Sequence, residues 1–376
     1  MARRAASAAA GARGGLIVTQ TALRQDLNTR VEEVLRERFA LHCTTAEAYG
    51  PEFAALWRAG ADHALGGKLV RPRLLLDVHH ALDPDAGDGP ITAAVDIATQ
   101  IELLHYAFLL HDDVIDGDLT RRQRPNLIGA LAAGTPGISA QDSLHWARSS
   151  AILMGDLILS AAVMGFARAD VPHETRLRLL ELVEQTILET VAGEHTDVAL
   201  SHGIIPSDVE TVLSMSVYKT ATYSFSLPLR AAALLAGSSR SAEETLQTVG
   251  RHLGLAYQLQ DDLLCVFGDH RSHGKDAYSD LREGKETAII AFARSTSAWT
   301  RIDPRFGAPD LNLADAEGIR DLLRECGAER FVVGLIGDQL DAVYALLAEA
   351  ELAGEITSDA ARSILVSASR LEGRQA

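Results

Sequence analysis

The sequence predicts an all-α protein, a single large bundle of ten or more helices around a central cavity. Apolar residues recur at three- and four-residue spacing through most of the 376 residues, the pattern of amphipathic helices. No alternating strand pattern and no internal repeat interrupts them. Aromatic residues make up 5% and Pro numbers 11, which suits helices better than a sandwich or barrel. At 47% hydrophobic and 23% charged, the chain has the composition of a folded protein with ample core. Its 35 basic residues face 51 acidic ones, a formal net charge of −16. That balance counts against nucleic acid as a partner and fits an enzyme that gathers cations at carboxylates.

Taken in order, residues 1–18 read as a disordered tail, because Met1 to Gly15 is rich in Arg, Ala and Gly and lacks acids. Residues 19–376 read as one domain. Leu23, Leu27, Val31, Val34 and Leu35 mark the first helix. The stretch from Ile91 to Ile115 is apolar on nearly all sides, which places it in the middle of the bundle. Further helices are expected over Ser143 to Phe166, His173 to Leu200, Pro206 to Lys219, Thr220 to Ala236 and Ala242 to Phe267. The last are Lys285 to Arg294, Ala314 to Cys326, Glu329 to Leu352 and Ser358 to Leu371. The breaks at Asp83 to Pro90, Gly134 to Gly137, Gly203 to Pro206, Asp269 to Gly274 and Pro304 to Pro309 are Gly- and Pro-rich. Cys43, Cys265 and Cys326 are scattered and lack metal-ligand spacing, so a reducing, cytoplasmic location is the expectation. No uninterrupted apolar run reaches the ~18 residues of a membrane span.

The chemistry gathers at charged ends of apolar helices. Asp112 and Asp116 are one helical turn apart and share a face, with Asp113 rotated by about 100°. Carboxylates at a helix C-terminus oppose the macrodipole, so cations should compensate them. A second pair, Asp261-Asp262, ends another apolar helix. Carboxylates without convergent Cys or His are hard ligands that select Mg²⁺ or Mn²⁺, and magnesium held by few carboxylates leaves room for phosphate oxygens. Two such sites suggest a diphosphate clamped between metal ions. Lys68, Arg71, Arg121, Arg122, Lys219, Lys275 and Lys285 are either surface charges that solubilise an acidic chain or the forks and point charges that two diphosphate groups would need.

These residues resemble the trans-isoprenyl diphosphate synthases, the polyprenyl synthetase family. The resemblance rests on Gly67-Lys68-x-x-Arg71-Pro72, Asp112-Asp113-x-x-Asp116 with Arg121-Arg122, Lys219-Thr220, Gln258-x-x-Asp261-Asp262, and Gly274-Lys275 through Asp280 to Lys285. It runs from about Gly66 to Ile290. It implies the isoprenoid synthase type I fold and a homodimer. It also implies that Lys68, Arg71, His105 and Arg122 hold the diphosphate of isopentenyl diphosphate. Arg121, Lys219, Thr220, Gln258, Lys275 and Lys285 would face an allylic diphosphate. Asp112 and Asp116 would bind Mg²⁺ on one side and Asp261 on the other, supported by Asp113 and Asp262. Three positions depart from the pattern: Cys265 at the third place of the second acidic motif, Gln123 where a Gly usually follows the Arg pair, and Glu194 where a Gln often precedes Asp197.

The implied reaction is a head-to-tail condensation that yields a linear all-trans prenyl diphosphate. Ala107 and Phe108 stand where the family sets product length. Ala107 should open the pocket and Phe108 partly close it, which looks most like a bacterial geranylgeranyl diphosphate synthase. The rival readings are a farnesyl or longer-chain synthase, a class I terpene cyclase and a non-catalytic partner subunit. The two acidic motifs and the isopentenyl site weigh against the last two.

Overall fold

The computed structural model describes residues 27–121, 124–134, 137–268, 278–308 and 310–372. The expected tail over residues 1–18, Arg122 and Lys275 all lie outside the described residues. The chain begins with α1 over residues 27–46, then a 3-10 turn (Glu47–Tyr49), α2 (Pro51–Ala64), α3 (Val70–Leu82) and α4 (Asp88–Ile115). A two-residue ladder, β1 (Thr120–Arg121) against β2 (Arg124–Pro125), leads into α5 (Leu127–Ala133), α6 (Ala140–Ala167), α7 (His173–Ser201) and α8 (Val209–Ser216). A π-helical segment (Val217–Ser226) joins α8 to α9 (Leu227–Leu235), and α10 (Arg240–Phe267) follows. The remainder is α11 (Ser279–Glu283), α12 (Ala288–Arg294), α13 (Trp299–Ile302), α14 (Leu313–Glu325), α15 (Ala328–Leu352) and α16 (Ser358–Glu372). The all-α expectation holds. The antiparallel ladder pairs Thr120 with Pro125 and Arg121 with Arg124, and it is too short to leave an alternating pattern.

Helix starts differ from the sequence expectation where a capping side chain decides them. Ser139 accepts from the Asp142 amide at 3.1 Å, so α6 begins at Ala140 and not at Ser143. Asp208 accepts from the Thr211 amide at 2.9 Å, which moves the start of α8 from Pro206 to Val209. Thr287 accepts from the Ile290 amide at 3.4 Å, so α12 starts at Ala288. Lys285 is thereby left in the preceding loop, where its side chain reaches back across the bundle.

The expected break between Lys219 and Thr220 is absent. The chain stays helical from Val209 to Leu235, with its middle turns widened to π geometry. Pro228 explains part of this, because it has no amide hydrogen to continue an α-helical ladder. The preceding Leu227 amide bonds to Thr222, five residues back. Glycines on both neighbours accommodate the wider turn: a Cβ at Gly193 of α7 would overlap the Lys219 backbone, and one at Gly254 of α10 would overlap Ala221.

The helix α4 runs through the middle, packed by α3, α6 and α9. Ala94, Ala98, Ile101 and Leu104 are completely buried. Close approach of α6 depends on Gly155 and Gly165, whose missing side chains make room for His111 and Gln100. By length and composition alone α4, α6 and α15 are each apolar enough to cross a bilayer, with 78%, 39% and 28% of the apolar stretch buried. The absence of an unbroken uncharged run therefore did not exclude such helices, since a few charges are tolerated in an apolar stretch of that length. In α4 the neighbouring helices cover the apolar surface, whereas α6 and α15 keep an apolar outer face.

Candidate active site

The acidic cluster forms where α4 ends. Asp116 closes the helix, its amide donating to the Asp112 carbonyl at 2.8 Å, and Gly117 at φ +75° turns the chain away. The β1–β2 ladder then folds back, and Arg121 returns to the acids. Its Nη2 donates to Asp113 Oδ1 at 2.6 Å and to Asp112 Oδ2 at 3.3 Å, while Nε reaches Asp113 Oδ1 at 3.2 Å. Asp113 is thus held by Arg121, and Asp112 and Asp116 are turned to a second set of cations.

Lys219, from the π segment, lies 3.2 Å from Asp112, 2.9 Å from Glu194 and 2.6 Å from Asp197. Lys285 lies 2.9 Å from Asp116 and 3.2 Å from Glu283. Burial alone would raise Asp112, but Lys219, Lys285 and Arg121 outweigh it and hold the carboxyl below its usual range. Asp113 is raised, chiefly by burial, against the opposing pull of Arg121. Burial works against the charge on both lysines, yet the surrounding carboxylates, Asp112 first for Lys219 and Asp116 first for Lys285, push them above the ordinary lysine range. Burial, with Asp112 adding to it against Lys219, pushes Glu194 up to about 7.

Ligand oxygens of Asp112, Asp116 and Glu194 lie within 4.8 Å of one another. Glu194 Oε2 is paired with Lys219, and its Oε1 is buried without a hydrogen-bond partner among the described residues. An orphaned carboxylate oxygen beside two aspartates fits a divalent cation with hard oxygen ligands. Glu194 was legible in the sequence only as a departure from a motif, because its partners lie on another helix. Asp197, one turn further along α7, was likewise visible without its role of anchoring Lys219.

The second motif is tied to the first through Thr220. Its hydroxyl donates to Gln258 Oε1 at 3.0 Å, and Gln258 Nε2 donates to Asp262 Oδ1 at 2.8 Å. Asp262 is buried, whereas its neighbour Asp261 is half-buried. Asp261 stands outside the close trio of carboxylates, and Glu194 fills its third place. Cys265 is buried with its sulfur 3.4 Å from the Ser279 hydroxyl. Burial, and then Asp280, pushes the thiol up to about 12, so in the metal-free protein it is a neutral group near pH 7.

A separate basic corner forms at the start of α3. Gly66, at φ +84°, and the left-handed Leu69, at φ +49°, turn the chain so that Lys68 is exposed. Leu69 is a strained position for a branched side chain, and its burial holds it there. Arg71 donates to Ser224 Oγ at 2.8 Å and to Tyr223 Oη at 3.4 Å, and its guanidinium carbon sits 4.9 Å from the centre of the Tyr223 ring. His105 stacks on the same ring at 5.7 Å. Phe108 meets that ring edge-on at 5.3 Å, while Ala107 is completely enclosed by the core. Arg71, His105 and Phe108 are therefore brought together, through Tyr223, a residue the sequence did not single out.

An all-α bundle whose central helix ends in cation-paired aspartates is the arrangement expected of the isoprenyl diphosphate synthases that the motifs resemble. Residues 56–308 match the polyprenyl synthetase family. The (2E,6E)-farnesyl diphosphate synthase of Mycobacterium tuberculosis is 33% identical over 278 residues, covering 70% of this chain and 68% of that protein. The geranylgeranyl diphosphate synthase of the same organism is 29% identical over 300 residues, covering 78% and 79%. Among solved structures, the geranylgeranyl pyrophosphate synthase of Corynebacterium glutamicum superimposes with a TM-score of 0.82 at 28% identity, over 92% of this chain and 99% of that one. The chain belongs to the polyprenyl synthetase family, and it is accordingly a trans-prenyltransferase.

Proposed function

We propose that the protein condenses isopentenyl diphosphate with an allylic diphosphate, head to tail, to make geranylgeranyl diphosphate with Mg²⁺ as its cofactor. The observation that carries this reading is the orphaned Glu194 oxygen beside Asp112 and Asp116, and a separate basic corner built on Arg71 and His105 supports it. Mg²⁺, or Mn²⁺ in its place, would neutralise charge developing on the leaving diphosphate when held by Asp112, Asp116 and Glu194. Lys219 and Lys285 are poised to exchange their carboxylate partners for diphosphate oxygens, and Arg121 fixes Asp113 so that Asp112 stays oriented. Lys68, Arg71 and His105 would hold the five-carbon substrate by its own diphosphate.

In the reaction the C1–O bond of the allylic substrate breaks and its electron pair leaves with the diphosphate. The isopentenyl double bond forms the new bond from its C4 to the allylic C1, and C2 of the isopentenyl unit then gives a proton to the departing diphosphate, its C–H electrons making the new C2–C3 double bond. Preorganised charge lowers this barrier, and the apolar wall of Phe108 and Tyr223 keeps water from the cation.

The test is a product assay with purified protein, Mg²⁺, isopentenyl diphosphate and each allylic primer in turn. A twenty-carbon diphosphate, absent without metal and in Asp112→Ala, supports the reading. A fifteen-carbon or longer linear product keeps the enzyme class and overturns the length. No condensation with any primer overturns the function. On the length assignment, Phe108→Ala lengthens the product and Ala107→Phe shortens it; unchanged products in both variants remove these residues from that role.

A homodimer is proposed on the apolar outer face of α6, where Leu153 is 58% exposed alongside Trp146, Leu157 and Met164. A cytoplasmic location is proposed on three cysteines that are all free thiols.

A further inference from the structure

We propose that Tyr223 is a positioning and specificity residue that couples the isopentenyl diphosphate site to the hydrocarbon pocket. The inference rests on the prenyl-transfer reading above. One ring carries three contacts that belong to different tasks. Its face lies 4.9 Å from the Arg71 guanidinium carbon, His105 stacks on it at 5.7 Å with 22° between planes, and Phe108 meets it at 5.3 Å and 64°. Arg71 and His105 are placed to hold a diphosphate, and Phe108 is placed to limit a growing chain. Tyr223 is the wall common to both.

The backbone explains why this ring can be placed so firmly. Tyr223 belongs to the π segment, whose widened turns send neighbouring side chains in different directions. Lys219 reaches the acids of α4 and α7, and Thr220 reaches Gln258 of α10. Thr222 donates to Glu189 of α7 at 2.9 Å. Ser224 accepts from Arg71 at 2.8 Å. Flanked by two anchored residues, Tyr223 has little freedom to move away when Arg71 or Phe108 presses on it. A cation over an aromatic face is attracted to the ring, and an edge-on aromatic pair prefers this separation. Removing the ring therefore loosens Arg71 and Phe108 together, whereas removing only the hydroxyl gives up a long 3.4 Å hydrogen bond and leaves the 2.8 Å bond to Ser224.

The experiment compares wild type, Tyr223→Phe, Tyr223→Leu and Tyr223→Ala for KM of each substrate, kcat, product length and thermal midpoint. Tyr223→Ala should raise KM for isopentenyl diphosphate about tenfold, an effect of one lost cation–ring contact, with KM for the allylic primer within about twofold. Its products should shift to longer chains by one or more five-carbon units. Tyr223→Phe should keep the wild-type length distribution and raise that KM less than about threefold, since the ring is retained. If Tyr223→Ala does not fold, Tyr223→Leu gives the same comparison without leaving a large cavity. Wild-type KM and product length in the ring-deleted variant would overturn the inference. Equal losses for both substrates with an unchanged length distribution would overturn it too, because they would indicate a merely structural role. A wild-type protein that forms no prenyl product overturns the function reading and this inference together, whereas a condensing wild type with indifferent variants overturns the inference alone.

Discussion

Glu194 has one carboxylate oxygen paired to Lys219 and the other buried with no partner among the described residues. A buried acceptor without a hydrogen bond costs about 1–3 kcal/mol, which a bound cation would recover. Glu194→Gln, which takes a charged ligand oxygen from the proposed site, should weaken Mg²⁺ binding by at least about tenfold by isothermal titration without substrate, since changing even a group that only supports a ligand costs that much. Unchanged affinity would remove Glu194 from the metal set. His79 carries a prediction of a different kind. Burial, with a smaller contribution from His80 and opposed by Asp83, lowers its pKa below 6.5. Below pH 6.5 the unfolded chain therefore takes up a proton that the native side chain refuses, and stability falls on acidification by up to about 1.4 kcal/mol per pH unit. His79→Leu should flatten this loss between pH 7 and 5.5 in urea unfolding; an identical slope in both proteins would refute the assignment.

At the scale of elements, the π segment is the part that decides the site. Its path is set by glycines on α7 and α10, because ordinary side chains there would collide with backbone. Gly193→Ala should destabilise the protein by about 3 kcal/mol, at the upper end for overpacking because backbone must yield, and should displace Lys219 with loss of most activity. Gly334 of α15, exposed and with nothing near a Cβ, is the control. There Ala should stabilise by about 0.5–1 kcal/mol through helix propensity alone. A thermal scan of the two variants, moving in opposite directions, checks both statements.

Across the whole molecule, apolar surface remains on the outside of α6 and α7, where Leu153 is 58% and Leu188 is 71% exposed. Trp146, Leu153, Leu157 and Met164 recur at spacings of seven, four and seven residues, which places them on one side of α6. Two charges at the centre of that stripe should prevent self-association at little cost to the monomer's core. Leu153→Asp with Leu157→Asp should shift the mass by light scattering from twice that of the chain to that of the chain. A wild type already at monomer mass would refute the dimer.

The all-α fold, the central place of α4 and most of the charged residues at the site are legible in the amino-acid order alone. Each of these is written in local periodicity: an apolar helix ending in Asp112, Asp113 and Asp116 can be read without knowing what packs against it. The helix starts were misread where Ser139, Asp208 and Thr287 cap amides three residues on, since a cap competes with hydrophobic spacing over a single turn. The unbroken helix through Lys219 and Thr220 was misread for a deeper reason. Its widened turns depend on Gly193 and Gly254, distant in sequence and adjacent only after folding. That Glu194 completes the carboxylate trio, and that Tyr223 joins Arg71 and His105 to Phe108, becomes visible once the helices are packed. Those groupings are contacts between helices, and helical periodicity carries which face of a helix is apolar, not which residue of another helix will meet it.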